Sequence, residues 1–146
     1  MDPVPVAVDL CMLVDRVARR DRRAFVALYE ALCRPVTQVA CRMLCRDEDV
    51  RAVVQGTFVE VWWMARFHTG AGTRVAAWTE RIAIRRALDR TGGDDPGRDA
   101  DDGTNRVAFA ALLSRGASRP ASRWRTHQVR NAGSAGDHGP GDFHQA

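Results

Sequence analysis

Residues 46–90, RDEDVRAVVQGTFVEVWWMARFHTGAGTRVAAWTERIAIRRALDR, decide how this chain folds. Val50, Val54, Phe58, Val61 and Ala65 recur at spacings of three and four, which places them on one side of a helix and gives it a face to bury. Asp47, Glu48 and Asp49 stand at its start, where negative charge meets the positive end of the helix dipole. Between His68 and Thr73 the period breaks, because Gly70 and Gly72 lack the side chains that would hold a helix together. A second helix is predicted from about Arg74, with Val75, Trp78 and Ile82 turned inward and a dense set of arginines elsewhere.

Toward the N-terminus the same periodicity continues. Residues 1–8 are interrupted by Pro3 and Pro5 and read as a mobile lead-in. Leu10, Leu13, Val14 and Val17 mark a short amphipathic helix from Asp9 to Arg19. Asp21 is a candidate N-cap for the next helix, whose inward stripe is Phe25, Leu28, Tyr29 and Leu32. Pro35 either starts a new turn or kinks a long helix. Val36, Val39, Ala40, Met43 and Leu44 then carry the apolar face to about Cys45. The prediction is an all-α compact bundle of about four helices over residues 9–90.

Beyond Arg90 the composition changes. Residues 91–103 hold five acids against one arginine, with Gly and Pro between them, and read as an acidic linker. Residues 104–146 begin basic and end rich in Gly, Ser and His, so the C-terminal third is expected to be disordered. Within it, residues 107–113 can form two helical turns before Gly116 and Pro120 intervene. No second apolar-periodic pair of helices with a turn between them is legible there.

The chain has 146 residues and a formal net charge of +4, and all 22 basic residues are arginine. That balance fits nucleic acid without demanding it. No run of 18 apolar residues and no charged-then-apolar leader is present, so the chain is expected to be cytoplasmic rather than membrane-spanning or secreted. Cys11, Cys33, Cys41 and Cys45 then read as free thiols acting as small apolar core residues. Cys41 and Cys45 are four apart on a predicted helix, but no Cys-x-x-Cys or His pair completes a tetrahedral metal set. No metal or other cofactor is called for.

Taken together, Val54-Gln55, Thr57-Phe58, Glu60-Val61-Trp62, Phe67, Ala77-Trp78, Arg81-Ile82-Ala83, Arg85-Arg86-Ala87 and Asp89-Arg90 resemble region 2 of an extracytoplasmic-function (ECF) sigma factor of RNA polymerase. Asp21 to Tyr29, Asp-x-x-Ala-Phe-x-x-Leu-Tyr, resembles the opening of the same module. The likeness covers about residues 9–90, and region 4, the family's second DNA-binding domain, is not recognisable. It implies a binding module and no enzyme, with RNA polymerase core and promoter DNA as partners and an anti-sigma factor as regulator.

Two surfaces follow from that resemblance. The helix carrying Gln55 would dock on the polymerase, with Glu48, Asp49 and Glu60 adding charged contacts at its rim. In place of the family's usual acidic residue three before the Gln stands Ala52, and in place of the following Glu stands Gly56. The loop of Phe67, His68 and Thr69, up to Arg74, would receive a base flipped from the non-template strand of the minus-ten element. Arg81, Arg85, Arg86 and Arg90 would reach phosphates and base edges. From spacing alone, these arginines can equally pair with Glu80 and Asp89. Trp62 and Trp78 read as core anchors, and Trp63, about 100° round the helix from Trp62, as exposed. Two other classes are open: a helical interaction protein that binds polymerase or an anti-sigma factor without driving transcription, and a thiol- or metal-dependent enzyme built on Cys33, Cys41, Cys45 and His68. The last lacks any nucleophile, base and orienting group that could act together.

Overall fold

A computed structural model describes residues 8–70, 72–93 and 95–116. They form five α-helices: α1 (Leu10–Ala18), α2 (Arg22–Met43), α3 (Asp47–Met64), α4 (Val75–Thr91) and α5 (Arg98–Gly116), with a 3₁₀ turn over Ala65–Phe67 after α3. No strand occurs among the described residues, and the all-α bundle stands as the sequence predicts.

The helix starts follow local chemistry. Asp9 caps α1 by accepting from the Met12 N–H at 3.1 Å. Asp21 caps α2 by accepting from the N–H groups of Arg23 and Ala24 at 3.0 and 3.2 Å, satisfying donors that the first turn leaves orphaned. The hydrogen bond from Arg16, then that from Ala24, hold the Asp21 carboxyl below the usual carboxylate range. α1 ends in a Schellman turn, with Arg20 N–H donating to Val17 O and Asp21 N–H to Arg16 O. Arg20 sits in the left-handed region at φ 66, where Gly is the usual residue. Its guanidinium is held in return: it donates to Trp62 O at 3.0 Å and lies 5.1 and 4.9 Å from the Trp62 and Trp63 ring centres. Helix α2 continues through Pro35, so no new helix starts there.

The core lies between α1, α2, α3 and α4 and takes in Phe109 and Leu112 of α5. Phe25 meets Trp62 edge-on at 5.6 Å, and Tyr29 meets Phe58 edge-on at 4.9 Å. Trp62 and Trp78 are buried, as core anchors should be, and Trp63 is 57% exposed. The hydroxyls of Thr57 and Thr79 are fully buried but donate to Val53 O and Val75 O one turn back. Two of the thiols depart from the core reading: Cys41 and Cys45 are exposed, because α2 turns them to its outer side and ends at Met43.

The largest difference from expectation is α5. Where the sequence reads an acidic linker over 91–103 and a disordered stretch after it, the structure has a helix from Arg98. It packs on α2 and α3 through Phe109 and Leu112, which are 8% and 6% exposed. Phe109 extends the aromatic chain, meeting Tyr29 edge-on at 5.2 Å. Asp99 and Asp101 are poor helix formers in isolation, but in a first turn they face the positive end of the dipole. The rest of the expected tail, residues 117–146 with Trp124, and most of the lead-in, residues 1–7, lie outside the described residues.

Candidate nucleic-acid and partner interface

The loop between α3 and α4 is built on fixed points. His68 stacks on Trp78 with ring centres 4.0 Å apart and planes 21° from parallel, so a buried tryptophan of α4 holds the loop's first side chain in place. Gly70 has φ 114, a conformation open to glycine, and its N–H donates to Asp15 Oδ1 at 3.2 Å. Cys11 Sγ donates to Thr73 O at 3.2 Å. α1 therefore tethers the loop at both ends, a role for Asp15 and Cys11 that no local sequence signal announces. Against this frame Phe67 stands 63% exposed with the Arg66 guanidinium 4.7 Å from its ring centre, and Thr69 is exposed beside it. Asp15, Ala18, Arg19, Arg66, Thr69 and Gly70 line a hollow at the seam between α1 and the loop.

The arginines of α4 divide into two groups. Arg74 and Arg81 are exposed, and no acid pairs with either among the described residues. Arg85 and Arg86 share one carboxylate, Glu60 of α3, with Arg86 at 2.8 Å and Arg85 the more exposed of the two. Arg90 is turned inward, its side chain only 10% exposed, between Asp49 of α3 at 2.7 Å and Asp102 of α5. Burial disfavours the Arg90 charge, but hydrogen bonding and attraction from Asp102 and then Asp49 more than offset it and raise its pKa. The partners are thus Glu60, Asp49 and Asp102 across helices, not Glu80 and Asp89 along α4. A local reading finds neighbours three and four residues apart; these pairs span 12 to 41 residues.

On α3, Glu48 is exposed and pairs loosely with Arg46 at 3.2 Å, and Gln55 is half-buried. Asp49 and Glu60 are already engaged by the arginines of α4. Gly56 is buried under Arg86: a Cβ there would stand 2.7 Å from Arg86 Nη1 and 3.4 Å from Asn105 Nδ2 of α5. The helix-propensity cost of that glycine, about 1 kcal/mol against Ala, has a packing reason. The cysteines do not assemble with His68, and no group of three or more His, Cys, Asp or Glu able to hold a metal occurs among the described residues. No helix among them is long and apolar enough to cross a membrane.

The family model described as Sigma-70 region 2 matches residues 28–92. The chain is 30% identical over 89 residues to the "ECF RNA polymerase sigma factor SigK" of Mycobacterium ulcerans (strain Agy99), a match covering 61% of this chain and 48% of that protein. It is 31% identical over 90 residues to the protein of the same name from Mycobacterium sp. (strain KMS), covering 62% and 47%. The chain thus spans about half the length of these curated relatives. No solved structure matches it.

Proposed function

We propose that the segment matching the Sigma-70 region 2 family model, residues 28–92, works as a region 2 of the extracytoplasmic-function type, like the relatives it resembles, and that the chain acts in transcription initiation, docking on core RNA polymerase and holding the opened minus-ten element of a promoter. The work is binding, not bond-making, and its place is the cytoplasm. The observation that carries the DNA half is the loop itself: an exposed Phe67 next to His68, which is pinned on Trp78, followed by exposed Arg74 and Arg81 at the start and first turns of α4. Extruding a base costs a few kcal/mol, which stacking and hydrogen-bonding groups on a rigid loop can return. Arg74, Arg81 and the exposed part of Arg85 supply strand contacts, while Arg86 and Arg90 position α4 against α3. On α3, Gln55 and Glu48 face the polymerase, and Asp49 and Glu60 act mainly through the arginines they hold. An anti-sigma factor is the regulator such a module would meet.

Complexes of the chain with core polymerase should bind a minus-ten single-stranded oligonucleotide. Arg81→Ala should weaken that binding about tenfold and lower its salt slope by about one counterion, as loss of one phosphate contact does. Phe67→Ala should weaken it by a similar factor through lost stacking. Fluorescence anisotropy against salt concentration reads both effects. A second reading has support in Arg85, Arg86 and Arg90, whose pairing with Glu60, Asp49 and Asp102 leaves fewer cations for a strand: a non-initiating protein that binds polymerase or an anti-sigma factor. Polymerase binding with no oligonucleotide binding would favour it.

A further inference from the structure

We infer that α5 is a displaceable cover on the face of α3 that the polymerase contact needs, so that the free chain holds its own docking surface partly closed. The inference rests on the polymerase reading above. The matched region 2 ends at residue 92, and α5 begins at Arg98, so this helix is an addition to the module. It crosses α3 where the side chains are smallest. Ala52 lines a common crevice with Arg86, Arg90, Asp102 and Asn105, and Asn105 lies over Gly56, the residue after Gln55. Asp49, also assigned to that surface, is joined to α5 through Arg90.

The helix is fastened on α2 and α3. Asp102 pairs with Arg90, Phe109 and Leu112 enter the core, and Arg22 Nη1 donates to Ala111 O at 3.3 Å. Its own sequence gives it little. Asp101-Asp102-Gly103-Thr104-Asn105 are five successive poor helix formers, so the first half is helical because it is docked. An element with weak intrinsic helicity that packs on two helices, α2 and α3, opens locally at lower cost than the helices beneath it, which pack on three or more. When it leaves, Arg90 keeps Asp49, while Ala52 and the edge of Tyr29 become accessible. Polymerase binding and α5 docking then exclude each other, and polymerase selects the undocked form.

The test is made on the full chain. Asp102→Asn combined with Phe109→Ala removes the charge partner and the aromatic anchor of α5. Neither residue belongs to the proposed polymerase or DNA contacts. Mycobacterial core RNA polymerase should bind this variant about tenfold more tightly than the wild type, the ratio expected if about one wild-type molecule in ten has α5 undocked. Native-state hydrogen exchange should show wild-type α5 amides opening before those of α2 and α3, with α2 to α4 still protected in the variant. If the double variant does not fold, Asp102→Asn alone is used and should tighten binding by a smaller factor. Wild-type α5 amides that exchange only with the slowest amides of α2 and α3 would overturn the cover. So would a released, folded variant that binds polymerase no more tightly than a binding wild type, in which case the polymerase reading stands alone. If neither form binds polymerase, that reading falls and the cover falls with it.

Discussion

Arg90→Ala is expected to destabilise the bundle by roughly 2–3 kcal/mol, far more than any other arginine of α4. Removing one member of a buried charge cluster leaves the others desolvated and unpaired, and here it leaves two carboxylates, Asp49 and Asp102, facing the same gap. The effect sits at or just below the usual range of about 3–5 kcal/mol for a buried pair, because those side chains keep 27% and 20% of their surface. Arg81→Ala, at an exposed and unpaired position, should change stability by no more than about 0.5 kcal/mol. Urea unfolding followed by circular dichroism separates the two. Equal midpoints for Arg90→Ala and Arg81→Ala would mean that the Asp49–Arg90–Asp102 bridge contributes nothing to the fold. The contrast also divides the arginines by role, since a stability loss at Arg90 with none at Arg81 is what a positioning residue and a ligand contact should show.

Phe58→Ala is expected to cost about 3–5 kcal/mol, the usual range for truncating a core phenylalanine. Phe58 has no exposed surface and is the α3 end of an aromatic chain that runs through Tyr29 of α2 to Phe109 of α5. A cavity at this point loosens three helices together, and α5 should lose its hydrogen-exchange protection first. For a domain whose whole stability is on the order of 5–15 kcal/mol, that is a large share. Phe67→Ala, by comparison, removes a ring that is 63% exposed and should leave the melting temperature within about 2 °C of the wild type. A small effect at Phe58 with a large one at Phe67 would invert the assignment of core and site.

Much of the bundle is legible in local spacing. Val54, Phe58, Val61 and Ala65 are buried as their period predicts, Asp21 caps α2, and the two glycines mark the break before α4. These features depend on residues within a turn or two of each other. What the sequence hides depends on contacts across the chain. α5 reads as a linker because its acids and Gly103 are unfavourable one at a time; Arg90, twelve residues before Asp102, and Tyr29, eighty before Phe109, make the helix worthwhile. The arginines mislead for the same reason. Their nearest acids along α4 are Glu80 and Asp89, but packing α4 on α3 brings Glu60 and Asp49 closer, and that changes which cations stay free for a strand. Asp15 and Cys11 were hidden too, since a side chain on α1 has no local reason to hold a loop some sixty residues away.

If α3, the loop after it and α4 work together as the proposed region 2, the α3 face meets RNA polymerase. Equilibrium binding of the purified chain to core RNA polymerase tests it most directly, with Gln55→Ala as the comparison. Saturable one-to-one binding is expected, weakened at least about fivefold by Gln55→Ala, as truncation of a contributing interface residue does. Absence of binding, or equal affinity for the wild type and Gln55→Ala, would contradict it.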